Sequence, residues 1–198
     1  MTGFVITTRL TTNLYLYTLF NTAMPDETIV LHATHPDLEE IRGIYNEVIR
    51  NTTAVYHYDE RTTEQMENWF ADKQANGYPL LISKTNGIVS GFATYGQFRP
   101  WAGYKYSVEH SVHIHKDYRG QGISKLLLSA LIAAAQQQGL HSIIAGIDAN
   151  NAISIQLHKK FGFAEVGHFK QVGFKFERWL DLTFMQLLLD KSENQNQT

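Results

Sequence analysis

The 198-residue sequence contains no cysteine and only four prolines. The first absence excludes a disulfide framework, a thiolate nucleophile and cysteine-ligated zinc, and it permits a reducing compartment. No apolar stretch approaches the roughly 20 residues that span a bilayer, so a membrane partner is not expected. Lys and Arg form no run, and the formal charge is −2 with histidine neutral. The electrostatic footprint of a nucleic-acid binder is therefore missing.

What is present describes a folded chain. Hydrophobic residues make up 43% and charged residues 18%. That balance can bury a core and is wrong for a disordered chain. The length suits one domain. Residues 1–27 read as a leader outside the fold, with Met24 as an alternative first residue. Their apolar run, Leu14 to Phe20, is short and broken by Tyr and Thr, unlike a secretory signal. Residues 28–189 read as the single domain, and 190–198 as a disordered polar tail.

Periodicity places the elements. Ile29 to Ala33 reads as a strand. Pro36 suits a first helical turn, and Leu38, Ile41, Ile44, Tyr45 and Val48 follow at helical spacing. Thr62 with Gln65 forms a capping-box signature ahead of a helix that stops near Asn76-Gly77. Leu80 to Lys84, a tight Asn86-Gly87 turn and Ile88 to Gln97 form a hairpin. Phe98 to Tyr104 is a loop. Tyr106 to His115 alternates, with Glu109 on its more polar face. A helix from Ile123 to Gln138 ends at Gly139. The apolar Ser142 to Ile147 suits a central strand. A helix from Asn151 to Lys160 and strands at Phe163 to Phe169 and Trp179 to Leu189 complete the order β-α-α-β-β-β-α-β-α-β-β. That order predicts a mixed α/β sheet of about seven strands with helices on both faces.

The segment from His115 to Lys125 carries the clearest chemistry. Gly120 and Gly122 let a ligand approach the backbone between a strand and a helix. Amides at the helix start, with the helix dipole, suit a pyrophosphate; Arg119 and Lys125 add charge. There is neither a Rossmann Gly-x-Gly-x-x-Gly nor a Walker pattern. The run Arg119, Gly120, Gln121, Gly122, Ile123, Ser124 resembles motif A of the GCN5-related N-acetyltransferases, with Ser124 where that motif has Gly or Ala. The resemblance extends over residues 28–189. It is closest to the phosphinothricin and methionine sulfoximine acetyltransferase branch, through FRPW at Phe98–Trp101, YSVEHSVHIH at Tyr106–His115, the Asn151 region and KFERWLDL at Lys175–Leu182.

The resemblance implies the GNAT fold and an acetyl-CoA co-substrate without a metal. It also implies a small amino-acid acceptor, cytoplasmic location and a homodimer. Residues 119–125 and Asn151 would hold the coenzyme, with the backbone of Val112, His113 and Ile114 beside the thioester. Glu109 would be the general base; the residue-level alternative is an ion pair on an exposed face. His158 stands where many members have a Tyr that protonates the departing thiolate; the alternative is a surface histidine. Asn151 is also a good N-cap. Arg99, Pro100, Trp101, Glu109, His110 and Ser111 would face the acceptor. Transfer would be direct, since the chain has no Cys and no evident activated Ser. Other amines as acceptors, or a domain that binds acetyl-CoA without turning it over, remain alternatives at this level.

Overall fold

The computed structural model describes residues 28–189. The expected leader and tail lie outside the described residues. The elements are β1 (Thr28–His32), α1 (Leu38–Asn51), α2 (Thr63–Ala75), β2 (Leu80–Thr85), β3 (Ile88–Gln97), β4 (Ser107–Ile114), α3 (Ile123–Gln137), β5 (Ser142–Asp148), α4 (Ala152–Lys160), β6 (Ala164–Lys175) and β7 (Arg178–Leu188). The strands form one seven-stranded sheet in the order β1-β2-β3-β4-β5-β7-β6. Among the described residues β4–β5 is the parallel pair; the other pairs are antiparallel.

Local chemistry accounts for most boundaries. Pro36 lies in a 3₁₀ turn, His35–Asp37, that runs into α1. Asp37 accepts from the Thr34 amide at 2.8 Å, and Lys84 reaches its other oxygen at 2.7 Å. The Thr62–Gln65 capping box forms in both directions. Asn86 and Gly87 both have positive φ, as a tight hairpin turn requires. Gly139 ends α3 at φ +68°.

Alternation along the strands divides the core into two layers. On one face Leu81, Tyr95, Val108, Ile143, Ala145 and Ile147 pack against Leu127, Leu128 and Leu131 of α3. On the other, Leu80, Ile82 and Phe92 pack against Leu38, Ile41 and Ile44 of α1 and Met66 and Phe70 of α2. Leu80, Leu81 and Ile82 thus go to alternate faces, as the strand period of two demands.

The largest departure from the sequence expectation is in β6. It does not stop at Phe169 but continues to Lys175, because two shifts of register absorb extra residues. Gln171, at φ +51°, donates its amide to Asp181 at 2.8 Å inside the second shift. Gly173 to Arg178, which lie between the two expected strands, form the end of a hairpin that turns at Phe176-Glu177, both at positive φ without a glycine.

Gly91 pairs with Ile114, and a Cβ there would sit 2.8 Å from Ile114 Cδ1 and 2.9 Å from the His113 carbonyl oxygen. Gly91→Ala should destabilise the fold by about 1–3 kcal/mol through overpacking. Urea denaturation checks this; an unchanged midpoint would show that the β3–β4 contact has room.

Candidate active site

The sheet splits in its middle. β4 and β5 pair over Ser107–Ser142, Val108–Ile143 and Glu109–Ile144. Beyond Glu109, β4 stays with β3 as far as Ile114, while β5 stays with β7 as far as Asp148. From His110 onward the β5-facing edge of β4 therefore carries no ladder. A crevice at the carboxyl ends of parallel strands is where open α/β sheets bind ligands.

The alternation of β4 sorts the expected site residues. Glu109, Ser111 and His113 face the α1 side. Glu109 is half-buried and Ser111 exposed. The His113 ring is buried between Tyr45 and Phe92, with centroids 5.5 and 5.1 Å away. Burial, with the Arg119 charge adding, pushes its pKa down to about 4. Val112 and Ile114 pack into the α3-side core. The 112–114 stretch thus presents backbone, not side chains, to the split. His110 points to the α3 side, against His158 and Phe163. Its side chain therefore does not join Glu109, a correction to its grouping with the acceptor residues. The period of two allows Glu109 and Ser111 to share a face, but not their neighbour.

Glu109 reaches across the split to β5. Its Oε1 lies 3.0 Å from where a Cβ on Gly146 would stand, with Phe184 and Leu182 of β7 beside the same point. Any side chain at 146 would meet the carboxylate. Burial raises the Glu109 pKa above the ordinary value of 4.5, and the positive charge of Arg99 partly opposes it. Arg99 is exposed, with its guanidinium 4.3 Å from the centroid of Phe98 and a bond to the Phe98 carbonyl. Pro100 and Trp101 are also exposed; Trp101 packs against Tyr104 at 6.3 Å.

On the other side of the split the chain leaves β4 through a 3₁₀ turn, Lys116–Tyr118, into the glycine turn. Gly120 and Gly122 both take left-handed φ, +80° and +83°. Open space surrounds the position a Cβ on Gly120 would occupy. Gly122 is the N-cap of α3 and brings no capping side chain; the Lys125 amide closes onto its carbonyl at 3.0 Å. The amides of Ile123 and Ser124 ahead of it are left for a ligand, which fits an anionic pyrophosphate. Ile123 contributes only its backbone, since its side chain is core. The Gln121 side chain donates to the Asp117 carbonyl at 3.1 Å. Arg119 is not a free cation: it pairs with Glu47 of α1 and donates to the Ile114 carbonyl at 3.3 Å.

Asn151 caps α4, its side-chain oxygen accepting the Ser154 amide at 3.0 Å. His158 is 4% exposed, contrary to a surface-histidine reading. Its Nδ1 lies 2.7 Å from the Ser154 carbonyl, which can only accept, so Nδ1 carries the proton. In the neutral ring Nε2 then accepts, and His110 Nε2–H donates to it at 3.0 Å. Burial lowers the pKa of both rings, that of His110 to about 3. Among the described residues no group of three or more His, Asp or Glu is placed to hold a metal ion.

Sequence reasoning missed Glu47 and Gly146. Glu47 carries only the helical period of a polar residue, and Gly146 lies in an apolar run; neither shows its partner locally.

The Glu109 carboxyl should titrate above 4.5, and Arg99→Met should raise it further by removing the charge that opposes burial. Carboxyl-carbon NMR titration checks both; a Glu109 value at or below 4.5 would contradict the burial assignment.

Residues 30–184 match the model of the acetyltransferase (GNAT) domain. An L-methionine sulfoximine/L-methionine sulfone acetyltransferase of Salmonella typhimurium is 43% identical over 159 residues, covering 80% of this chain and 93% of the relative. A phosphinothricin N-acetyltransferase of Alcaligenes faecalis is 34% identical, covering 79% and 80%. The structure of a GNAT superfamily phosphinothricin acetyltransferase from Sinorhizobium meliloti in complex with acetyl-CoA superimposes with a TM-score of 0.81 at 34% identity, covering 86% of this chain and 93% of that one. An N-acetyltransferase from Staphylococcus aureus superimposes at 0.82 with 45% identity, covering 83% and 100%. With the split sheet, the glycine turn and the match over residues 30–184, the chain belongs to the GNAT family of acetyltransferases.

Proposed function

We propose that the protein transfers the acetyl group of acetyl-CoA to the α-amine of a small amino-acid analogue of the methionine sulfone, methionine sulfoximine or phosphinothricin kind. The observation that carries this reading is Glu109: a half-buried carboxylate at the point where the sheet splits, with the glycine turn following on the same strand's exit. The names of the relatives supply the acceptor class.

Each residue then has a task. Amides from Gln121 to Ser124 face the pyrophosphate, that of Lys125 being taken by the Gly122 carbonyl. The unpaired edge at Val112–Ile114 lies alongside the acetyl-bearing arm, and the backbone there polarises the thioester carbonyl. Asn151 contacts the coenzyme through what its cap leaves free. Arg99 faces the acceptor carboxylate, and Trp101 with Pro100 walls the side chain beside Ser111. Glu109 takes one proton from the ammonium, directly or through a water; the neutral nitrogen attacks the thioester carbon, the carbon–sulfur bond breaks, and the second proton that the nitrogen loses on becoming an amide passes through water to the departing thiolate. A pKa raised by burial strengthens Glu109 as a proton acceptor.

A second source of the thiolate's proton is favoured by the His158 geometry. Both of its ring nitrogens are engaged, one with Ser154 and one with His110. Protonation by water fits that arrangement better than direct donation from His158.

The edge strand β6 exposes Val166, Phe169 and Val172, and Phe176 and Trp179 continue the apolar surface. Such an edge supports a homodimer. The cysteine-free chain and the coenzyme A substrate suit the cytoplasm.

Glu109→Gln should lower kcat by about 10²- to 10⁴-fold while the KM for acetyl-CoA stays within about threefold. Free-thiol release over a panel of amines measures this. An undiminished rate across the pH range would sink the role of Glu109; release only with polyamines or peptides would replace the acceptor class. His158→Gln should lower kcat by less than about tenfold if water protonates the thiolate, and by about 10² or more if His158 does so.

A further inference from the structure

Lys175 stands apart from every residue given a task above. It closes β6 and is 3% exposed. Its ammonium donates to three main-chain carbonyls: Ile49 at 2.6 Å, Thr52 at 2.8 Å and Val55 at 2.6 Å. Ile49 lies in the last turn of α1 and Thr52 is its C-cap. Three donors therefore meet three acceptors, at a helix end whose carbonyls need partners and whose dipole favours a cation. Among the described residues no carboxylate pairs with Lys175. Burial lowers its pKa, so the carbonyls must hold an ammonium that pays a desolvation cost. An arginine fork does not reproduce three tetrahedral bonds converging from one segment.

The same hairpin grips that segment twice more. Tyr58 donates its hydroxyl to the Phe174 carbonyl. The Tyr56 ring lies against Gly173, where a Cβ would overlap it, 2.6 Å from Cδ2. Gly173 pairs with Leu180. Along β7, Leu180, Leu182 and Phe184 share a face by strand alternation, and Leu182, Phe184 and the Glu109 carboxylate all lie around the point where a Cβ on Gly146 would stand. Tyr56 therefore covers the face that carries the carboxylate. Burial, with the charges of Asp148 at the end of β5 and of Asp181, raises the pKa of its hydroxyl.

We propose that Lys175 is a positioning residue for the acceptor side of the cleft: it fixes the segment 52–58, and with it the Tyr56 ring, over the Glu109 face, so that the β6–β7 hairpin shapes which amine fits. This rests on the reading of Glu109 as the base of an amino-acid acetyltransferase. The coenzyme turn hangs from the other end of β4 and is tied to α1 through Glu47, not through Lys175.

Three substitutions disturb the clasp or the Tyr56 ring it holds. Lys175→Met removes the three bonds; Gly173→Ala pushes the ring directly; Tyr58→Phe is a milder loosening of the same clasp. KM for L-methionine sulfone and for phosphinothricin, KM for acetyl-CoA, and urea midpoints would be measured on each. The expected result is an acceptor KM raised by about tenfold in Lys175→Met and Gly173→Ala, less in Tyr58→Phe, with the acetyl-CoA KM within about twofold and an altered ratio between the two acceptors. Equal changes in both KM values, or a lower urea midpoint with both unchanged, would show a purely structural staple and overturn the proposal. If Lys175→Met does not fold, Gly173→Ala and Tyr58→Phe decide by the same criteria. Wild-type protein that releases no thiol with any amino acid would instead overturn the acetyltransferase reading, leaving the two failures distinct.

Discussion

The parallel contact between β4 and β5 lasts three residue pairs and then ends. The rest of the structure is organised around that shortness. Each strand keeps an antiparallel partner on its outer side, β3 for β4 and β7 for β5, so the sheet opens without either half losing its register. Core packing on the α3 side continues beneath the opening, through Val108, Ile143, Ala145 and Ile147. The split is therefore a crevice with a rigid floor. Glu109 stands at its last shared pair, and the β5-facing edge of β4 from His110 to Ile114 lines it without a ladder partner.

Long polar side chains carry the strain of holding this crevice in shape. Arg119 ties the glycine turn to Glu47, and Lys175 ties the β6–β7 hairpin to carbonyls at the end of α1. α1 thus braces both sides of the crevice through its final turns. On the opposite face the His110–His158 pair joins β4 to α4 with neutral rings. Buried polar contacts of this kind are costly unless fully paired. Their use here marks positions where geometry matters more than net stability.

Local signals in the chain were sufficient for most elements. The Thr62–Gln65 box, the Asn86-Gly87 turn, the Gly139 stop and the apolar periods of α1 and α3 all act within a few residues. The glycine turn at 120–122 was legible for the same reason, since left-handed φ at both glycines is a property of the chain itself. β6 was truncated in the sequence expectation because its continuation depends on Gln171 meeting Asp181 across the hairpin. The tight turn at Phe176-Glu177 lacks the Gly or Asn that advertises such turns.

By itself the sequence determined which elements form, that Glu109 shares a strand face with Ser111 and not with His110, and that a glycine turn precedes a helix. Those are consequences of local sterics and of periods of 2 and 3.6 residues. Only the tertiary structure decided what those groups meet. It set Glu109 against Gly146, engaged both nitrogens of His158, gave Arg119 to Glu47 and aimed Lys175 at three carbonyls more than a hundred residues away. Each of these is a contact between chain segments that no local period encodes, and each depends on where the sheet stops pairing.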